Sequence, residues 1–93
     1  MKKMNEFLSE RGQKLEHVKR TWSIHVMKTT LYTVRIYVSL YGHEISAISS
    51  LKNNNRTHGT ASHTHPIYSG KNQQEAIEAI EKSIKQTITN FSQ

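Results

Sequence analysis

The 93 residues include thirteen Lys and Arg, seven Glu, no Asp and no Cys, enough for one small domain with a single core but not for a deep cleft between domains. The lack of cysteine excludes disulfides, thiolate metal sites and thiol nucleophiles. A formal net charge of +6 favours polyanionic partners, or else marks a solvated surface whose sign keeps the chain soluble.

No apolar run approaches the length of a membrane span, and the N-terminus turns polar at Asn5-Glu6 where a signal peptide would turn apolar. A cytoplasmic protein is expected, with no membrane partner. Residues 1–35 contribute +5, residues 36–72 contribute +2 and residues 73–93 contribute −1, so along the chain the basicity sits in the first half.

Met4, Phe7, Leu8, Leu15 and Val18 recur at helical spacing and predict a helix over 5–18, with Asn5 as N-cap. Gly12 in its middle costs about 1 kcal/mol relative to alanine, which shortens or interrupts it. Alternation of Trp22, Ile24 and Val26 with Ser23, His25 and Met27 predicts a strand over 21–27. A loop at 28–30 would set Trp22 beside Ile36 and Ile24 beside Val34.

The clearest stretch follows. Tyr32, Val34, Ile36, Val38 and Leu40 alternate with Thr33, Arg35, Tyr37, Ser39 and Tyr41, so 31–41 is a strand with one buried face. Gly42-His43 is a two-residue hairpin turn leading into a strand over 44–51. Pairing Tyr41 with Glu44 aligns Leu40 with Ile45, Val38 with Ala47, Ile36 with Ser49 and Val34 with Leu51, all on one face.

Residues 52–71 are polar and read as a flexible loop or an edge strand ended near Pro66. Asn72 caps a helix over 73–91, with Glu75 in the capping-box position and an apolar stripe of Ala76, Ile77, Ile80, Ile84, Ile88 and Phe91. Its solvent side sets Glu78 before Lys82 and Glu81 before Lys85 at ion-pair spacing. The expected fold is α+β: a three-stranded, alternatively four-stranded, antiparallel sheet packed by helices in the order α-β-β-β-α.

His58, His63 and His65 are weak candidates for a metal site, histidines in a polar loop being more often solvated. No glycine-rich phosphate loop, nucleophile elbow or Walker pattern is present, so neither enzymatic activity, a small-molecule substrate nor a cofactor is expected. Lys3, Arg11, Lys14, Lys19, Arg20, Lys28 and Arg56 can reach phosphates, and Arg35, Tyr37 and Tyr41 on the outer sheet face can stack on bases or on another protein.

The α-β-β-β-α order with a basic first helix is similar to the double-stranded-RNA-binding domain, a likeness that implies duplex recognition by shape and phosphate position. That domain's lysine cluster at the start of the second helix is reduced here to Lys71 before Asn72-Gln73-Gln74. Glu6-Phe7 with Lys14-Leu15-Glu16, then Gly42-His43-Glu44-Ile45-Ser46-Ala47, then Ala76-Ile77-Glu78 with Ile80, Ile84, Ile88 and Thr89 resemble, in order, pieces of the ribosome hibernation-promoting and ribosome-associated inhibitor family. This likeness implies a β-α-β-β-β-α fold and ribosome binding. The family's first strand has no counterpart here, residues 52–71 are an insertion, and its basic last-helix residues are kept only as Lys82 and Lys85.

The resulting expectation is a non-catalytic module that binds structured RNA before DNA. The alternative is a small protein–protein interaction module, such as an inhibitor or adaptor encoded by a mobile element, that acts through the sheet face or a strand edge.

Overall fold

The computed structural model describes residues 1–54 and 62–91 as α1 (Lys2–Arg11), β1 (Gln13–Lys14), β2 (Thr21–Lys28), β3 (Tyr32–Tyr41), β4 (Glu44–Asn53), β5 (Ser62–Gly70) and α2 (Gln73–Phe91). The strands form one antiparallel sheet in chain order, β1-β2-β3-β4-β5. The α+β class is as the sequence predicts, but the sheet has five strands where three or four are expected. The edge-strand alternative for residues 52–71 corresponds to β5, which runs through Pro66 to Gly70 instead of ending near the proline, and the strand beyond the four-stranded alternative is the two-residue β1.

The β3–β4 hairpin has the predicted register along its whole length, from Tyr41 opposite Glu44 to Val34 opposite Leu51. Gly42 takes a positive φ of 64° in the turn, a conformation glycine adopts without steric cost. β4 runs on to Asn53, so Lys52 is a strand residue opposite Thr33.

The β2–β3 register differs from the expectation. Trp22 faces Val38 and Ile24 faces Ile36, and a bulge at Val26 lets Met27 face Val34. Turn and bulge together give the net two-residue shift: the turn moves the register by three and the bulge takes one back. In the turn the Thr29 hydroxyl accepts from the Leu31 and Tyr32 amides, and the Thr29 amide donates to the Tyr32 carbonyl. Because the shift is even, Trp22 and Ile24 stay on the buried face.

The first helix is Lys2–Arg11, not residues 5–18. Asn5 is therefore a helix residue, and the cap position is Met1, which makes no side-chain cap. The Met4 amide donates instead to Gln73 Oε1 at 2.9 Å, which ties the two helix N-termini together. The helix stops because Gly12 leaves it in extended conformation, pressed against Ser23 and Ile24 of β2. Val18 lies outside the helix, exposed at 49%.

Asn72 does cap α2, its Oδ1 accepting from the Glu75 amide at 3.0 Å. The reciprocal half of the capping box is relayed through β5: the Asn72 amide donates to the Tyr68 hydroxyl, which donates to Glu75 Oε1. Neither Glu78–Lys82 nor Glu81–Lys85 forms an ion pair among the described residues. Glu81 lies 3.9 Å from Arg11, and Glu78 accepts from Gln74.

Both helices cover the same side of the sheet. Met4, Phe7 and Leu8 of α1 and Ala76 and Ile80 of α2 pack with Ile24, Ile36, Val38, Ile45 and Ala47 into one buried cluster. Trp22, Ile77 and Ile84 border it, and Phe91 meets Tyr32 edge to face at 5.9 Å. No described helix is long and apolar enough to cross a membrane.

Candidate functional site

Strand alternation sends the side chains between the core positions to the opposite, uncovered side of the sheet. Reading the pairing across it gives four rows. Thr21, Ser39, Ser46 and Ser69 form one, Ser23, Tyr37, Ile48 and Pro66 the next, His25, Arg35, Ser50 and Thr64 the third, and Lys28, Thr33 and Lys52 the last. The face is thus rich in hydroxyls, with an apolar strip of Tyr37, Ile48 and Pro66 near its middle.

Two of those hydroxyls hold the scaffold. Thr21 and Thr33 are buried; Thr21 Oγ1 shares a hydrogen bond with Ser39 Oγ at 3.0 Å, and Thr33 Oγ1 donates to Asn54 Oδ1 at 2.8 Å. Tyr37 is half-buried, while His25, Lys28, Arg35 and Lys52 are exposed.

The expected site residues are not gathered in one place. Arg35, Tyr37, Lys28 and, near the turn, Tyr41 lie on the open face. Lys3 lies on α1, in the helix layer. Lys14 of β1 is opposite Trp22 on the helix-covered side, where it lines a shallow groove with Arg20 and Leu40. Lys19 is exposed in the segment before β2.

Arg11 is held by its own helix and its neighbour. Its guanidinium stacks 4.2 Å from the Phe7 ring centre, and it lies 4.0 Å from Glu10 and 3.9 Å from Glu81. Arg56 and His58 fall outside the described residues. His63 and His65 are on β5, opposite Leu51 and Ser49, and no group of three metal-ligating side chains occurs among the described residues.

Two basic residues of the open face, Lys52 and His25, are not among the expected site residues. Lys52 was hidden because its segment reads as a loop. His25 sits opposite Arg35, and its alternation with Trp22 and Ile24 was its only signal. Beside them, a depression of about 400 Å³ is lined by Glu10, Arg11, Gly12, Gln13, Ser23, His25 and Arg35, where the end of α1 meets the edge of β2.

Charge divides by element. The two helices carry Lys2, Lys3, Arg11, Lys82 and Lys85 against Glu6, Glu10, Glu75, Glu78 and Glu81, so they are neutral together. The whole excess of +6 therefore lies in the strands and connecting segments. On the open face the acidic side chain among the described residues is Glu44, at the turn end opposite Tyr41. The ion pairs of the described residues all involve Arg11, which leaves Lys28, Arg35 and Lys52 without a carboxylate partner.

Comparison with known proteins finds no matching protein-family model, curated protein or solved structure.

Proposed function

We propose that the protein is a non-catalytic nucleic-acid-binding module that grips structured RNA, in preference to DNA, through the open face of its sheet. One observation carries the reading: the two helices are electrically neutral together, while Lys28, Arg35 and Lys52 have no carboxylate partner among the described residues and lie on the face the helices leave open. Unpaired cations on an open surface are suited to phosphates, whose neutralisation releases counterions. The hydroxyls of Ser23 and Ser50 near Arg35 both donate and accept, which fits sugar hydroxyls and base edges. The resemblance to the ribosome-hibernation family makes ribosomal RNA the first structured RNA to test.

The experiment compares two charge-matched triple variants for binding to an RNA hairpin at low salt. Lys28→Glu with Arg35→Glu and Lys52→Glu is expected to remove binding. Lys2→Glu with Lys3→Glu and Lys82→Glu, in the helix layer, is expected to retain most of it. Equal losses from the two triples would mean that only total charge matters, and the sheet-face reading would be abandoned.

A second reading, a protein–protein module acting as inhibitor or adaptor, is favoured by the Tyr37–Ile48–Pro66 strip, an apolar patch on a face otherwise polar. It would use the face, because β5, the long edge strand, carries Pro66 and a register shift, both of which discourage strand addition. Under this reading Tyr37→Ala with Ile48→Ser is the damaging pair and the charge reversals matter little.

A further inference from the structure

We infer that the open face takes unpaired nucleotides, with one base stacked on Tyr37 and its phosphate seated in the depression beside Arg35 and His25. This rests on the nucleic-acid reading and narrows it to the single-stranded parts of the RNA. Tyr37 stands opposite Ser23 on one side and Ile48 on the other. It is half-buried. Ile48 and Pro66 continue the apolar strip across two further strands, each about 4.8 Å from the last, which is a platform of the breadth of a base. A duplex has its base faces already stacked and offers such a platform nothing, whereas an unpaired base gains a stacking partner.

The phosphate seat follows from the same geometry. Arg35 is two residues from Tyr37 on one strand and one face, so the two are separated by roughly 7 Å, about one nucleotide of extended chain. His25 is the cross-strand neighbour of Arg35, and Gln13 and Ser23 complete a polar rim. Glu10 and Arg11 also line the depression but lie 4.0 Å from each other, so the acid is offset and Arg35 remains the unpaired cation. Lys28 and Lys52 extend the positive track beyond Arg35, away from the Gly42 turn. Lys28 and Lys52 flank Thr33 in the next row, one strand to either side of Arg35, so the three cations form a triangle at this end of the face.

The test is fluorescence anisotropy of the full chain with three labelled probes of one length: an unpaired RNA, its blunt duplex, and a base-free phosphodiester strand. The unpaired RNA is expected to bind at least about tenfold more tightly than either of the others. Tyr37→Ala is expected to weaken only the unpaired RNA, by roughly 5- to 150-fold, the range of base–aromatic stacking, and Tyr37→Phe is expected to keep the affinity. Thermal melting of each variant checks that it is folded, and Tyr37→Phe keeps the test informative should Tyr37→Ala not fold. Duplex binding as tight as single-strand binding, or a base-free strand bound equally well, would overturn the inference while leaving nucleic-acid binding intact. Failure to bind any probe at low salt would overturn both.

Discussion

A methyl group on Gly12 would lie 2.5 Å from the Ser23 carbonyl oxygen and 3.0 Å from Ile24 Cγ1, closer than side-chain carbons approach backbone oxygens. The first of these is backbone and cannot swing aside. Gly12→Ala is therefore expected to destabilise the fold by about 1–3 kcal/mol, the usual cost of overpacking, read from the urea midpoint with the m-value unchanged. A gain in stability, as expected for a glycine replaced in an open helix, would contradict the close approach. The sequence reveals Gly12 as a weak point of a helix, but its partner is eleven residues away and only the fold brings them together. Arg20 is a related case: its φ of 61° places a non-glycine residue in the left-handed region just before β2, and nothing in its neighbourhood in the sequence signals this. Arg35 and Tyr37, by contrast, are legible at once, because strict alternation around Ile36 puts them on the face away from the core.

At the scale of elements, legibility follows the strength of the local code. The β3–β4 register is readable because one glycine turn and two alternating strands agree. The β2–β3 register is not, since it depends on a bulge at Val26 and on hydrogen bonds made by Thr29. β5 is legible only as one of two alternatives, a loop or an edge strand, because an exposed edge strand of Ser, Thr, His and Pro needs little apolar surface. The loops at one end of the sheet are joined by Asn54, whose side chain accepts from Thr33 Oγ1, donates to the Thr29 carbonyl at 3.2 Å, and whose amide donates to the Leu31 carbonyl. Asn54→Ala keeps the amide bond and leaves the buried Thr33 hydroxyl without that acceptor. It is expected to cost about 1–3 kcal/mol and to speed hydrogen exchange in the β2–β3 turn first. Unchanged exchange there would mean that the turn holds itself through Thr29 alone.

In the whole molecule the helices are neutral together, and the open face holds Lys28, Arg35 and Lys52 against Glu44. Along the chain the first helix reads as part of a basic half, but once α1 and α2 are set side by side their charges cancel. The excess then belongs to the strands and loops. This division is invisible to any linear count, since it depends on which segments share a side of the sheet. It is also the basis of the proposal that the sheet face left open by the helices binds nucleic acid. The most direct measurement is the slope of log affinity against log salt for RNA binding, compared between the native protein and a variant in which Lys28, Arg35 and Lys52 are replaced by Gln. Each phosphate contact on a single strand contributes about −0.7 to that slope, so loss of three contacts is predicted to reduce its magnitude by about 2. An unchanged slope in this variant, with the same reduction appearing instead when Lys2, Lys3 and Lys82 are replaced, would contradict the account and move the surface to the helices.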